Sequence, residues 1–145
     1  MNSFVVDCAG NHIQLLNKDI AYGTSLELSI IETLSKYFNE AVEKVKYRYS
    51  QFDAFSATAK YEIKSRRNRY DQYPTTIVAV DKTANITDRL VFVFHFTDGL
   101  YFIEYNAEKF SAYDIRDVEA VRTGGIWTSK PHFFIPIQEL TRINI

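Results

Sequence analysis

The chain reads as an α/β protein, an N-terminal helix followed by a mixed central β-sheet with a helical connector between strands. Three observations lead there. Apolar residues recur at the 3.6-residue period of a helix over residues 25–45. β-branched and aromatic runs of strand length follow. An Asp98-Gly99 pair then separates two such runs in the manner of a hairpin turn.

The helix is expected over LELSIIETLSKYFNEAVEKV, with Ile30, Ile31, Leu34, Phe38, Ala41, Val42 and Val45 on one stripe. Thr24 and Glu27 form a capping-box pattern at its start, and Gly23 permits a turn before it. Residues 47–55 and 58–65 read as two short strands joined by little more than a turn. TTIVAV, residues 75–80, is a continuous run of the kind expected for a strand buried on both faces. A short helix is expected at 83–89, then the hairpin LVFVFHF and LYFIEY. PHFFIPIQELTRI ends the chain as a strand running into a helical turn. Runs of this order make an α/β or α+β domain.

The chain has 145 residues, enough for one domain spanning 1–145 with a core of its own. Apolar residues make up 46% and charged residues 24%, an ordinary globular balance. A net charge of −1 supplies no global attraction to nucleic acid, so any such binding needs a local patch. Cys8 is the lone cysteine, which excludes an internal disulfide and a cysteine-built zinc site. No run approaches a membrane span, and the first residues lack the pattern of a signal peptide. A cytoplasmic location is expected.

Chemistry concentrates in AKYEIKSRRNRYDQYP, residues 59–74. Glu62 and Lys64 stand two apart, so on a strand they share a face. Asp53 lies on the preceding strand, and hairpin pairing of the two brings it beside Glu62. Two converging carboxylates repel unless a cation sits between them, and oxygen ligands suit Mg²⁺. Arg66, Arg67 and Arg69 follow at once, with Tyr70 and Tyr73 interleaved, a composition that suits a phosphate backbone.

Asp53 followed nine positions later by Glu62-Ile63-Lys64, on consecutive strands after a helix, resembles the PD-(D/E)XK nucleases. That superfamily includes restriction enzymes and Holliday-junction resolvases. The resemblance implies a restriction-endonuclease-like core and a Mg²⁺-dependent endonuclease, with Mn²⁺ able to substitute. It implies Asp53, Glu62 and the carbonyl of Ile63 as metal ligands and Lys64 as the residue that positions the attacking water. Gly23-Thr24-Ser25-Leu26-Glu27 resembles the early helical glutamate of many members, so Glu27 joins the catalytic and metal set. Arg66, Arg67, Arg69 and Lys82 are the expected nucleic-acid contacts. The expected partner is nucleic acid, DNA before RNA, handled as a homodimer or with a partner protein.

Phenylalanine stands where many members have a proline before the aspartate, and a spacing of nine demands a tight hairpin. Glu62 and Lys64 also suit a solvent-facing pair, Asp53 a turn, and each arginine a solvated loop. His95 inside an apolar strand suits packing. The alternative function is a catalytically inactive domain of the same fold serving as a binding or assembly module, with LVFVFHF and the Trp127 region as its interface.

Overall fold

The computed structural model describes the backbone of residues 14–46, 50–122 and 125–144. Side chains are described from residue 26 onward within these ranges, apart from 121, 122, 126 and 127. Helix α1 covers Gln14–Phe38. The strands are β1 (Glu43–Lys44), β2 (Ala54–Phe55), β3 (Ala59–Ser65), β4 (Thr75–Ala79), β5 (Arg89–Phe96), β6 (Gly99–Glu104), β7 (Asp114–Arg122), β8 (Ile126–Pro136) and β9 (Thr141–Arg142). A single helical turn, α2 (Ala107–Phe110), follows β6, with Asn106 capping it through its side-chain oxygen.

The coarse class is as the sequence implied: a helix, then mixed sheet. The chain builds two sheets, however. Six strands run in the order β1-β2-β3-β5-β6-β9, with β3 and β5 parallel and the other pairs antiparallel. The remaining three form a separate antiparallel sheet, β4-β8-β7.

β5 explains the architecture. Its residues alternate between two buried faces, with Val91 and Val93 on one and Leu90, Phe92, Phe94 and Phe96 on the other. The valine face joins Tyr61 of β3 beneath Ile30, Ile31 and Leu34 of α1. The phenylalanine face packs against Val78 of β4 and Phe133 and Ile135 of β8, with Phe110 filling the end. The six-stranded sheet is thus covered by a helix on one side and a sheet on the other. Burying a phenylalanine of this row stabilises by about 1.5–3 kcal/mol.

Several expectations are corrected. α1 lies earlier than residues 25–45, so Glu27 is in mid-helix and the Thr24–Glu27 capping box does not start it. The helix stops at Phe38 because Asn39 turns left-handed, at φ 52°. The apolar stripe continues past this stop: Val42 donates its amide to Ser35 Oγ at 3.0 Å and packs in the same cluster as extended chain. Of the strand expected at 47–55 only Ala54–Phe55 is formed among the described residues, and Tyr47, Arg48 and Tyr49 lie outside them. TTIVAV is not buried on both faces: Thr76 and Val78 are buried, their neighbours half-buried, and β4 is an edge strand of the second sheet. The helical connector is a 3-10 turn at Val80–Thr83 rather than a helix at 83–89. β7 was not anticipated at all.

The hairpin through Asp98-Gly99 forms, with Phe96 paired to Gly99 across Thr97 and Asp98. A strand running into a helical turn also closes the chain, as β8 and the turn Ile137–Glu139. Leu90–Phe94 are almost wholly buried, so the Phe-rich strand presents no interface, and the side chain of Trp127 lies outside the described residues. His95 is half-buried at the end of that strand.

Candidate active site

β3 carries the proposed chemistry because its two faces do different work. Ala59, Tyr61 and Ile63 turn toward α1, while Lys60, Glu62 and Lys64 turn toward the second sheet. Glu62 is therefore buried at 4% exposure, opposite Phe92 of β5 in a row that otherwise buries phenylalanine. Lys64, opposite Phe94, reaches back so that its Nζ sits 3.0 Å from Glu62 Oε1. The shared face read from the sequence is realised as a direct ion pair.

A second cation arrives from elsewhere. Lys82, in the 3-10 turn after β4, brings its Nζ to 3.6 Å from the same Oε1 and donates to the Gln51 carbonyl at 2.7 Å. Glu62 Oε2 is buried with no hydrogen-bond partner among the described residues. Native structures rarely leave such an oxygen unmatched. Burial pushes the Glu62 carboxyl up from its ordinary range; the negative charge of Asp53 adds to this, and Lys64 and Lys82 partly offset it.

Asp53 stands just before β2. Ala54 pairs with Tyr61, so the same register continued by one residue sets Asp53 opposite Glu62, and the Asp53 amide donates to the Tyr61 carbonyl at 3.0 Å. β2 offers no further rungs, and the Asp53 side chain replaces one: its Oδ2 accepts the Ile63 amide at 2.7 Å. On the α1 side, Asp53 and Ile63 line a small cavity of about 120 Å³ with Leu26, Glu27, Ile30 and Ser65. Burial raises the Glu27 carboxyl; Lys44, 3.8 Å away, opposes this and Asp53 reinforces it.

The expected acids thus lie along one end of β3, but on two sides of it. Asp53 is the hinge, with Glu27 beside it in the cavity and Glu62 behind the strand. Among the described residues, no three histidine, cysteine, aspartate or glutamate groups gather closely enough to enclose an ion.

The basic segment divides. Arg66 is not a free surface cation. Its Nη2 donates to the Ile77 carbonyl at 2.7 Å, its Nε reaches Thr76 Oγ1 at 3.4 Å, and its guanidinium lies over the Phe94 ring at 5.6 Å. It ties β3 to β4 and so joins the two sheets. Arg67 is exposed. Arg69 is exposed too, with Asp71 and Asp98 each 3.9 Å away. Tyr70 stacks on Tyr101 at 4.1 Å and donates to the Ile137 carbonyl, so it is a packing residue. Tyr73 is exposed.

Sequence reasoning missed one wall of the site. Lys64 and Lys82 open onto a cleft of about 330 Å³, whose far side is Thr128, Lys130 and His132 of β8 with Val118 and Ala120 of β7. The signal was present: 128, 130 and 132 are spaced by two and share a strand face, as Glu62 and Lys64 do.

Comparison with protein-family models, with curated proteins and with solved structures finds no match for this chain. No helix among the described residues is long and apolar enough to cross a membrane.

Proposed function

We propose that the chain is a metal-dependent phosphodiesterase acting on nucleic acid, built on a restriction-endonuclease-like core. The observation that carries this reading is Glu62, a carboxylate buried among phenylalanines, flanked by two lysines and retaining one oxygen without a partner. Acids perturbed by burial and a specific charge partner cluster at functional sites. The order of elements supports it as well. A helix, three antiparallel strands and a crossover to a parallel fourth are observed, with the Asp just before the second strand and the Glu-x-Lys on the third.

The donor set fits Mg²⁺ or Mn²⁺. All candidate ligands are hard oxygens, and Glu62 Oε2 is a buried acceptor awaiting a positive partner. With no three acids enclosing one point among the described residues, Asp53 and Glu62 would hold the ion with the Ile63 carbonyl and water completing its shell, as is common for Mg²⁺. Glu27 would support Asp53 from the helix. A bound divalent ion supplies Lewis acidity at a phosphoryl oxygen and makes water a better nucleophile.

The chain's own residues do the rest. Lys64, anchored on Glu62, holds a water by hydrogen bonding and takes up negative charge developing on the phosphate. Lys82 offers a second cation from the opposite wall. The phenylalanine row behind them excludes bulk water, which strengthens both interactions.

The test is cleavage of labelled DNA and RNA in Mg²⁺ or Mn²⁺, with metal affinity measured separately by calorimetry. Asp53→Ala and Glu62→Ala should lose metal binding and cleavage together. Lys64→Ala should retain metal binding and lose at least about 100-fold in rate. Full activity in Lys64→Ala would remove its assigned role. Absence of metal binding in the unaltered protein would favour the inactive binding module.

A further inference from the structure

The cleft beyond Lys64 has features the metal chemistry does not require. Its walls come from different layers: Gln51 and Lys64 from the six-stranded sheet side, Ala79, Asp81 and Lys82 from the end of β4, and the β7–β8 hairpin opposite. Three lysines line it with one carboxylate, Asp81, and Glu62 lies buried behind Lys64 and Lys82. Lys130 Nζ lies 3.0 Å from Asp81 Oδ2 in an exposed pair, which costs little to exchange for another anion. Small residues face the long ones across the hairpin, with Val118 opposite Lys130 and Ala120 opposite Thr128. Space is therefore left between the hairpin and the wall that carries Lys64 and Lys82. Among the described residues the lining holds no phenylalanine, tyrosine or tryptophan, and the imidazole of His132 is its one aromatic ring.

We propose that this cleft is a phosphate-holding groove for one nucleic-acid strand, with Lys82 and Lys130 gripping the backbone next to the scissile position from opposite walls. The position relative to the scissile bond rests on the phosphodiesterase reading; the phosphate grip does not. At about 330 Å³ the cleft is at the small end of ligand-sized pockets, which run from roughly 300 to 1,000 Å³. It admits a single extended backbone. A double helix, whose major groove alone is about 12 Å wide, has to be opened first. The lysine–phosphate contacts are indifferent to sequence, because phosphates carry none. The groove also assigns the strand-holding role away from Arg66, whose guanidinium is committed to β4.

The experiment is fluorescence anisotropy of labelled oligothymidylate, oligouridylate and a hairpin duplex, with EDTA present so that nothing is cleaved, across a salt series. Single strands should bind more tightly than the duplex, and pyrophosphate should compete. Lys130→Gln should weaken single-strand binding about tenfold and flatten the log–log salt dependence by about 0.7, the value for one phosphate contact on a single strand. Thr128→Glu, which adds a carboxylate beside Lys130 on the same wall, should abolish binding while circular dichroism stays unchanged. Wild-type affinity and salt slope in both variants, or equal affinity for duplex and single strand, would overturn the groove. Cleavage by the unaltered protein alongside that result leaves the phosphodiesterase reading standing. Lysine-dependent binding with no cleavage in Mg²⁺ keeps the groove and removes that reading.

Discussion

Replacing Glu62 by glutamine separates a carboxylate kept for chemistry from one kept for stability. In the native protein Oε1 takes both lysines, Lys64 at 3.0 Å and Lys82 at 3.6 Å, while Oε2 is buried without a partner among the described residues. Burial makes the charged form of Glu62 costly, which raises its pKa, and glutamine removes that charge. Glutamine keeps one oxygen for Lys64 but gives up charge assistance, a loss of about 1 kcal/mol. Lys64 and Lys82 remain partly exposed, so each can turn to water without being stranded. The amide nitrogen of the glutamine inherits the unmatched position of Oε2, so the gain is only the relief of the buried charge: at most about 1 kcal/mol at neutral pH, a rise in Tm of up to about 3 °C. The pH dependence has a definite sign. Burial raises the Glu62 pKa in the folded state above its ordinary 4.5, so the native state holds this proton more tightly than the unfolded chain does. Stability therefore falls as pH rises from about 4.5 through the folded pKa, and the penalty is fully present above it. Urea unfolding of both proteins between acidic and mildly alkaline pH should show that fall in the native protein and its reduction in Glu62→Gln. A variant destabilised by more than about 2 kcal/mol at neutral pH, with an unchanged pH profile, would refute the reasoning and make Glu62 the keystone of a structural ion-pair network.

Other expectations follow from the same geometry. Arg66→Ala should cost about 2–3 kcal/mol in urea unfolding through loss of its charged hydrogen bond to the Ile77 carbonyl, with oligonucleotide affinity little changed. Asn39→Gly should hold or slightly raise stability, whereas Asn39→Ala should lower it by about 1 kcal/mol, because the helix end needs φ 52°. Phe92→Ala, at a fully buried position, should cost about 3–5 kcal/mol by thermal or urea unfolding. Glu27→Gln should weaken Mn²⁺ binding in calorimetry without abolishing it, since this acid reaches the site only beside Asp53.

Local patterns were legible where one element satisfied them alone. Glu62 and Lys64 meet because strand periodicity puts them on one face, and the β5–β6 hairpin forms where Asp98-Gly99 places it. Asp53 was legible through the register of a two-strand pairing. What escaped the sequence was allegiance between layers. TTIVAV has the composition of a central strand, yet β5 and its row of phenylalanines takes that place and leaves β4 to pair with β8, far along the chain. The end of α1 was missed because Ala41, Val42 and Val45 continue its apolar rhythm after the backbone has turned at Asn39. Arginine at 66 signals a surface by composition alone, and only the position of the Ile77 carbonyl shows that it is a strut.

The parallel pairing of β3 with β5 has a consequence for the order in which the two lysines reach Glu62. The segment between them must leave the first sheet, and its strand β4 finds its hydrogen-bonding partner only in β8. Lys82 sits directly after β4, so its approach to Glu62 waits on residues 126–136. On a ribosome, the carboxylates of the first half emerge well before the strand that fixes their second cation. A chain truncated before β8 would therefore carry every residue of the Asp and Glu-x-Lys pattern and still lack the strand that brings Lys82 to Glu62.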